Sequence, residues 1–587
     1  MSNYLFRFFI INLLFSSLTV FSQEHKSPKF FDASIEDLQW VDSVWQSLSN
    51  EEKIAQLFIV PHYTSRSYKE VEFLVREYNV GGVIFFKGKA IDQVNAVNRL
   101  NNVAKTPLVY TLDAEWGLGM RLPYDGISYP YAMTLGALQD DQLIYEMSSQ
   151  IANQLKRVGV TVSYGPVADL NNNPLNPVIS YRSFGENREK VTSKALAYMK
   201  GLEDHQVLAV AKHFPGHGDT NVDSHKSLPV IPHSRKRLDS LELYPFEQLI
   251  KEGIGGVMTA HLEVPALDDQ ASSLSTKVIT DLLRDSLKFD GVIFTDGILM
   301  DAITKQFHDY GKADAQALVA GNDVVEFTNH IDKAIKEVLL AINQKKISWE
   351  QINEKGWRVL LMKRWLEVDK QKRLSTASLK ADLQPQEAKK LIQEISDKAI
   401  TVLKNSNQCI SLDITKKVAI VNIGKSSTLL KKRFSEKQFD VESFYLSKNA
   451  SSEQLKQLIS KLSRFDVVVT QVGALYMSPG VKDIAVELAK EDEPIKKSKY
   501  PYGVTYTMLN YFHLMKDKDP KHIGVFFGNA YAIRSFVGIE NIDGLIIGYQ
   551  DLPELRKSVG KLLLGEINSQ GKLPVTIDQR FKEGLGL

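Results

Sequence analysis

From residue 50 to residue 330 the chain alternates short apolar runs with longer polar stretches patterned for helix. The runs are rich in Val, Ile and Phe, as strands buried on both faces of a parallel sheet should be. Eight can be counted: Gln56–Val60, Gly82–Phe86, Leu108–Asp113, Val160–Tyr164, Leu208–His213, Gly256–His261, Gly291–Asp296 and Val324–Phe327. Between the third and fourth, Ile144, Met147, Ile151, Leu155 and Val158 share one helical face, as a covering helix requires. Eight strands with intervening helices predict a closed (β/α)8 barrel of the TIM type over residues 30–372.

After Ile347 the pattern becomes helical and highly charged, with the run Asp369–Arg373, and residues 373–399 read as a linker. A second alternation follows, with apolar runs at Val418–Ile423, Asp466–Thr470, Ile523–Phe527 and Gly544–Ile547 separated by amphipathic segments. Residues 400–587 are therefore expected to form a smaller open α/β sheet sandwiched by helices.

The first residues change the picture of where the protein works. Arg7 precedes the apolar run Phe8–Leu14, and Ser16 and Ser17 follow, so residues 1–23 read as a secretory signal peptide. The run is short for a bilayer and broken by Asn12, and no Cys lies nearby to take a lipid. Export to the periplasm or beyond, with no stable membrane anchor, is the expectation. The single cysteine, Cys409, cannot form an intramolecular disulfide, so the fold must rest on its cores. Seventy-two Lys and Arg against 70 Asp and Glu give no bulk attraction to nucleic acid. Oligomeric state has no signature in the chain.

Six polar residues fall at or just beyond the C-terminal ends of proposed strands, Lys212 and His213 on the same one: Asp113, Asp169, Lys212, His213, His261 and Asp296. That rim is where a barrel of this kind builds its active site. The densest constellation is Lys212–Thr220, continued by Asp223, Ser224 and His225. Pro215, Gly216 and Gly218 exclude a regular helix, so this is a shaped loop over the barrel mouth. Asp223 stands two residues from His225, close enough for the carboxylate to hold the imidazole tautomer and raise its proton affinity, an arrangement suited to a general acid.

Three readings compete for these histidines. His213, His217, Asp219 and His225 are metal-ligand types, yet the intervening Pro and Gly deny the helix that would put His213 and His217 on one face, so no metal is expected. They could instead hydrogen-bond within a rigid loop, or serve catalysis and sugar binding. Asp296 ends a buried run and could act as a fixed nucleophilic carboxylate, or as N-cap of the segment Ile298–Ile303. Asp113 can accept hydroxyl bonds and Trp116 can offer an apolar face, while Glu115 and Arg121 read as a structural ion pair. Arg182 lies on a further loop, as a hydroxyl donor or a loop-closing residue.

Together these segments resemble glycoside hydrolase family 3, in its bacterial β-N-acetylglucosaminidase (β-hexosaminidase) branch. The resemblance runs from Leu48–Gln56 through Gly81–Ile84, Arg182–Gly185, the Lys212–His225 block and Met258–His261 to Thr295–Asp296, with Val525–Asn529 and Gly571–Val575 in the last stretch. It implies a retaining glycosidase that needs no cofactor and acts on an oligosaccharide or glycan. Asp296 then matches the nucleophile, His225 the acid/base and Asp223 its partner, while Asp113, Arg182, Lys212 and His213 match sugar-binding positions. Two departures stand out: Ala114, Trp116, Leu118 and Gly119 replace the more usual Gln, Gly, Arg and Val character of their loop, and Gly297 replaces a common Asp or Ala.

Three alternatives stay open. The family also holds β-glucosidases and β-xylosidases. A histidine acid/base repels an incoming anion less than a carboxylate does, so phosphate could replace water as acceptor. A catalytically silent sugar-binding protein could also keep this fold.

Overall fold

The computed structural model describes residues 25–222, 227–307, 309, 311–480 and 500–587. The expected leader and the Asp223/His225 pair lie outside the described residues.

All eight apolar runs of the first half are strands: β1 (Phe58–Tyr63), β2 (Gly82–Phe86), β3 (Val109–Leu112), β4 (Val162–Ser163), β5 (Leu208–Phe214), β6 (Gly256–Thr259), β7 (Val292–Thr295) and β8 (Val325–Glu326). They pair in parallel in the order β8-β1-β2-β3-β4-β5-β6-β7. A parallel bridge between Phe294 and Val324 returns β7 to the start of β8 and closes the ring. Helices cover the outside. On Gln142–Arg157 the residues Ile144, Met147, Ile151 and Leu155 are fully buried, the face that the periodicity marked. Trp349–Trp365 begins in a capping box between Ser348 and Gln351, which satisfies orphan backbone donors at both ends of the exchange.

Among the described residues the second α/β domain holds six strands, β9 (Thr401–Asn405), β10 (Val418–Ile423), β11 (Val441–Leu446), β12 (Val467–Val472), β13 (Lys521–Phe526) and β14 (Gly544–Ile547). Their order is β9-β14-β13-β12-β10-β11, parallel throughout except for β9, which runs antiparallel to β14. Helices pack on both faces. Leu430 and Phe434, from Leu429–Glu436, join Leu555, Val559 and Leu562, from Pro553–Leu563, over one face. The other face belongs to an apolar cluster continuous with the barrel core. The chain's end folds back onto the barrel, where Glu186 N donates to Pro574 O (3.1 Å) and the Glu186 carboxylate accepts from Thr576 N (2.8 Å) and Oγ1 (2.6 Å). Among the described residues no helix is long and apolar enough to cross a membrane.

Candidate active site

At the C-terminal mouth of the barrel lies a cavity of about 570 Å³. Five of the seven residues expected to bind sugar or carry catalysis line it: Asp113 just past β3, Lys212 and His213 in β5, Arg182 on the loop after β4, and Asp296 just past β7. The ring of parallel strands does this, because the C-terminal ends of the strands and the loops that follow them all open on the same mouth.

The floor is a charge network. Lys212 Nζ donates to Asp113 Oδ1 (2.7 Å) and lies 2.8 Å from Glu115 Oε1. Arg182 grips Glu115 with two bonds, Nε to Oε2 (3.0 Å) and Nη2 to Oε1 (2.7 Å), the planar fork that makes Arg–carboxylate pairs directional. Arg121 bonds the second oxygen of Asp113. The expected Glu115–Arg121 pair is therefore corrected: closure of the barrel brings Arg182 and Lys212 to Glu115, and Arg121 to Asp113. Burial alone would raise both carboxyls. Against it, Lys212 and Arg121 hold Asp113 far below the usual carboxylate range, and Arg182 and Lys212 bring Glu115 down to about 2. Both are ionised at neutral pH, presenting fixed acceptors in a largely buried pocket.

His213 is oriented from behind. Its Nδ1 lies 2.7 Å from Asp169 Oδ2, and its Nε2 is 3.3 Å from Arg182 Nη2. Asp169 is fully buried and also accepts from the His217 backbone N–H (2.7 Å), so it braces the loop and does not line the cavity. His217 reaches the cavity wall, with Nδ1 3.0 Å from Thr220 Oγ1. Burial pushes its imidazole down to about 4, so it is neutral at pH 7. Asp219 pairs with His233 (2.7 Å). Among the described residues no three His, Cys, Asp or Glu side chains gather to hold a metal ion.

Asp296 Oδ1 accepts from Gly297 N (2.7 Å) and its own N–H donates to Thr259 O (2.9 Å). The following helix is Asp301–Thr304 and is capped at Met300, so the N-cap reading of Asp296 is set aside. His261 is buried behind it, with Nε2 3.0 Å from Gly297 O and Nδ1 2.6 Å from Ser273 Oγ, and takes no place in the cavity lining. Around the rim, Trp116, Tyr131 and Tyr181 form an aromatic cluster with centroids 4.7, 4.9 and 6.0 Å apart.

The model of the glycosyl hydrolase family 3 N-terminal domain matches residues 49–362, more than half of the chain. This chain belongs to glycosyl hydrolase family 3. Among curated relatives of this family 3 chain, "Beta-hexosaminidase A" of Pseudoalteromonas piscicida is 32% identical over 370 residues, 57% of this chain and 61% of that protein. "Beta-hexosaminidase LpqI" of Mycobacterium tuberculosis is 30% identical over 332 residues, 54% of this chain and 83% of that one. The solved structure of a family 3 β-N-acetylglucosaminidase from Paenibacillus sp. str. FPU-7 superposes with a TM-score of 0.74 at 29% identity, covering 90% of this chain and 99% of that one.

Several lining residues of this family 3 site were not singled out in the sequence. Tyr63 and Phe86 end β1 and β2 and stack at 4.9 Å, with Phe327 5.2 Å from Phe86, and all three line the cavity together with Trp116 and Tyr181. Tyr164 donates to the Glu326 carboxyl group on the cavity floor. The only signal for any of them was their place at the end of a strand, which the six polar residues shared.

Proposed function

We propose that the protein is a retaining β-N-acetylhexosaminidase that releases terminal β-linked N-acetylglucosamine from an oligosaccharide or glycan after export. Asp296 attacks the anomeric carbon and forms a glycosyl ester. His225, oriented by Asp223, protonates the leaving oxygen and then takes a proton from the incoming water. Asp113, Lys212 and Arg182 bind sugar hydroxyls, and His213 completes that set.

The observation that supports this reading most is that Asp296 lines the same cavity as the Asp113–Lys212–Glu115–Arg182 network. A nucleophile at the strand end and prepaired hydroxyl-binding charges on the floor meet in one opening, so a bound ring is presented to a fixed carboxylate with little reorganisation. The names borne by the relatives support the sugar. The roles of Asp223 and His225 rest on the sequence, and export rests on the pattern of residues 1–23.

A panel of aryl N-acetylglucosaminides, glucosides and xylosides, with and without phosphate, tests the substrate and the acceptor. N-acetylglucosaminides should be cleaved fastest, with free sugar as product whether or not phosphate is present. A sugar 1-phosphate product, or a preference for glucosides, overturns that part. Asp296→Asn should lower kcat by on the order of 10³-fold or more with the fold intact, and a slow fluorinated glycoside should leave an adduct on Asp296 in wild type. His225→Ala should still be glycosylated by an activated aryl glycoside, release product slowly, and be rescued by azide. Equal loss on activated and unactivated substrates with no rescue removes His225 from the acid/base role.

A further inference from the structure

The loop from Asn171 to Arg182 carries Arg182 into the cavity, and the second domain holds it at three points, Asn171, Pro174 and Ser180. Tyr531 donates its hydroxyl to Asn171 O (2.8 Å), and the Tyr502 hydroxyl bonds Pro174 O. Asn529 Nδ2 donates to Ser180 Oγ (2.8 Å) and to Met477 O (2.6 Å), and Ser180 Oγ itself donates to Met477 O (3.2 Å). All of these side chains are buried: Ser180, Asn529 and Tyr502 are 1% exposed and Tyr531 2%.

Ser180 is the sensitive point. Its φ of 38° lies in the left-handed region, which a non-glycine residue adopts only when surrounding contacts hold it there. It begins the single turn Ser180–Arg182, so its conformation sets the direction in which Arg182 leaves the backbone. Within the loop, Asn171 Nδ2 donates to Ser180 O (2.8 Å) and Arg182 N to Ile179 O (2.7 Å). The loop's middle is tied to a different wall of the site, where Asn176 Nδ2 donates to His217 O (2.9 Å) and Gly218 O (2.8 Å). One short segment thus stands between the second domain on one side and two walls of the cavity on the other.

We infer that the second domain is a positioning part of the active site: Asn529 and Tyr531 clamp the Asn171–Arg182 loop so that Arg182 is held at Glu115 and presented to the sugar. Asn529 also caps its own following turn, with Oδ1 accepting from Tyr531 N (3.0 Å), which fixes both clamping side chains in one rigid piece. The clamp touches no substrate and acts through Arg182. It rests on the proposed reading of Arg182 as a sugar-binding residue, and predicts an effect on KM that exceeds the effect on kcat.

The test is a double-mutant cycle in the full-length protein. Tyr531→Phe, which removes one hydroxyl and keeps the ring, should raise KM for an aryl N-acetylglucosaminide about threefold, and Asn529→Ala about tenfold, each with kcat within about threefold of wild type. In an Arg182→Ala background the same two changes should move KM by less than about twofold, because the residue they act through is gone. Hydrogen exchange supplies a readout independent of substrate: amides of residues 171–183 should lose protection in both variants while those of the barrel strands keep it. Unchanged exchange, an unchanged KM, or equal factors in the Arg182→Ala background overturns the clamp. If wild type cleaves a different glycoside in place of the N-acetylglucosaminide, the proposed substrate fails, and the same cycle run on the glycoside it does cleave decides the clamp separately.

Discussion

Glu326 and Tyr164 meet across the barrel mouth from β8 and the end of β4, strands on opposite sides of the ring. Glu326 is 2% exposed and its second carboxyl oxygen has no protein partner. Burial, and then the negative charge of Asp113, push its pKa well above the ordinary glutamate value, the opposite of what Lys212 and Arg121 do to Asp113. Two carboxyls on one floor are thereby separated in protonation state by their neighbours alone. In the unfolded chain Glu326 ionises above about pH 4.5 while in the folded protein it keeps its proton, so its contribution to stability is present at low pH and is lost as pH rises. Glu326→Gln should then gain stability over wild type at pH 7 but not at pH 4, measured by urea unfolding at both. An equal difference at the two pH values would mean that Glu326 ionises normally. Sequence could not single this residue out: in the run Val324–Phe327 a lone Glu reads as a strand residue, and which side of β8 faces the cavity is set only when the barrel closes. The same gap explains the Glu115 pairing, where neighbours in sequence were displaced by neighbours in space.

Strands buried on both faces announced themselves, and the four runs marked in the second domain are the four inner strands of its sheet. The two that escaped, β9 and β11, are its edges. An edge strand has one flank in solvent, and β11 carries the half-exposed series Val441–Tyr445 where an inner strand shows a continuous apolar run. Inside the sheet, β13 buries His522, with Nε2 2.9 Å from Thr470 Oγ1 and its ring stacked 5.2 Å from Phe512. Burial pushes its imidazole down to about 4. Between pH 6.5 and about 4 the unfolded chain therefore binds a proton at this position that the folded protein refuses, and stability falls as pH falls through that window. From pH 7 to pH 5 the loss from this one residue is roughly 2 kcal/mol. His522→Gln keeps a polar partner for Thr470 and cannot protonate, so its unfolding free energy should fall by about 2 kcal/mol less over the same interval. A variant with the wild-type pH dependence would show that His522 titrates normally or is solvated.

Two domains joined through a short segment often melt separately, because relative motion is the default unless the interface is large and apolar. Here one apolar cluster runs from the barrel into a face of the second sheet, and the tail residues Pro574 and Thr576 return to hold Glu186. Neither feature is legible along the chain, since a sheet face and a returning tail gain partners only in three dimensions. The arrangement predicts a single cooperative thermal transition. Gly185 tests it from one atom. Its φ of 152° disfavours any side chain, and a Cβ there would stand 2.5 Å from Pro574 O, a backbone atom that cannot swing aside. Its carbonyl also accepts from Asn171 N (2.7 Å) at the base of the clamped loop. Gly185→Ala should therefore destabilise by about 3 kcal/mol through strain and forced separation, and in calorimetry the whole transition should move down as one peak. Because the same residue supports the loop bearing Arg182, KM should rise in the folded variant well below its transition. Two resolved peaks of which only one moves would show that the barrel and the second domain unfold independently, and that their shared core couples them less than their geometry implies.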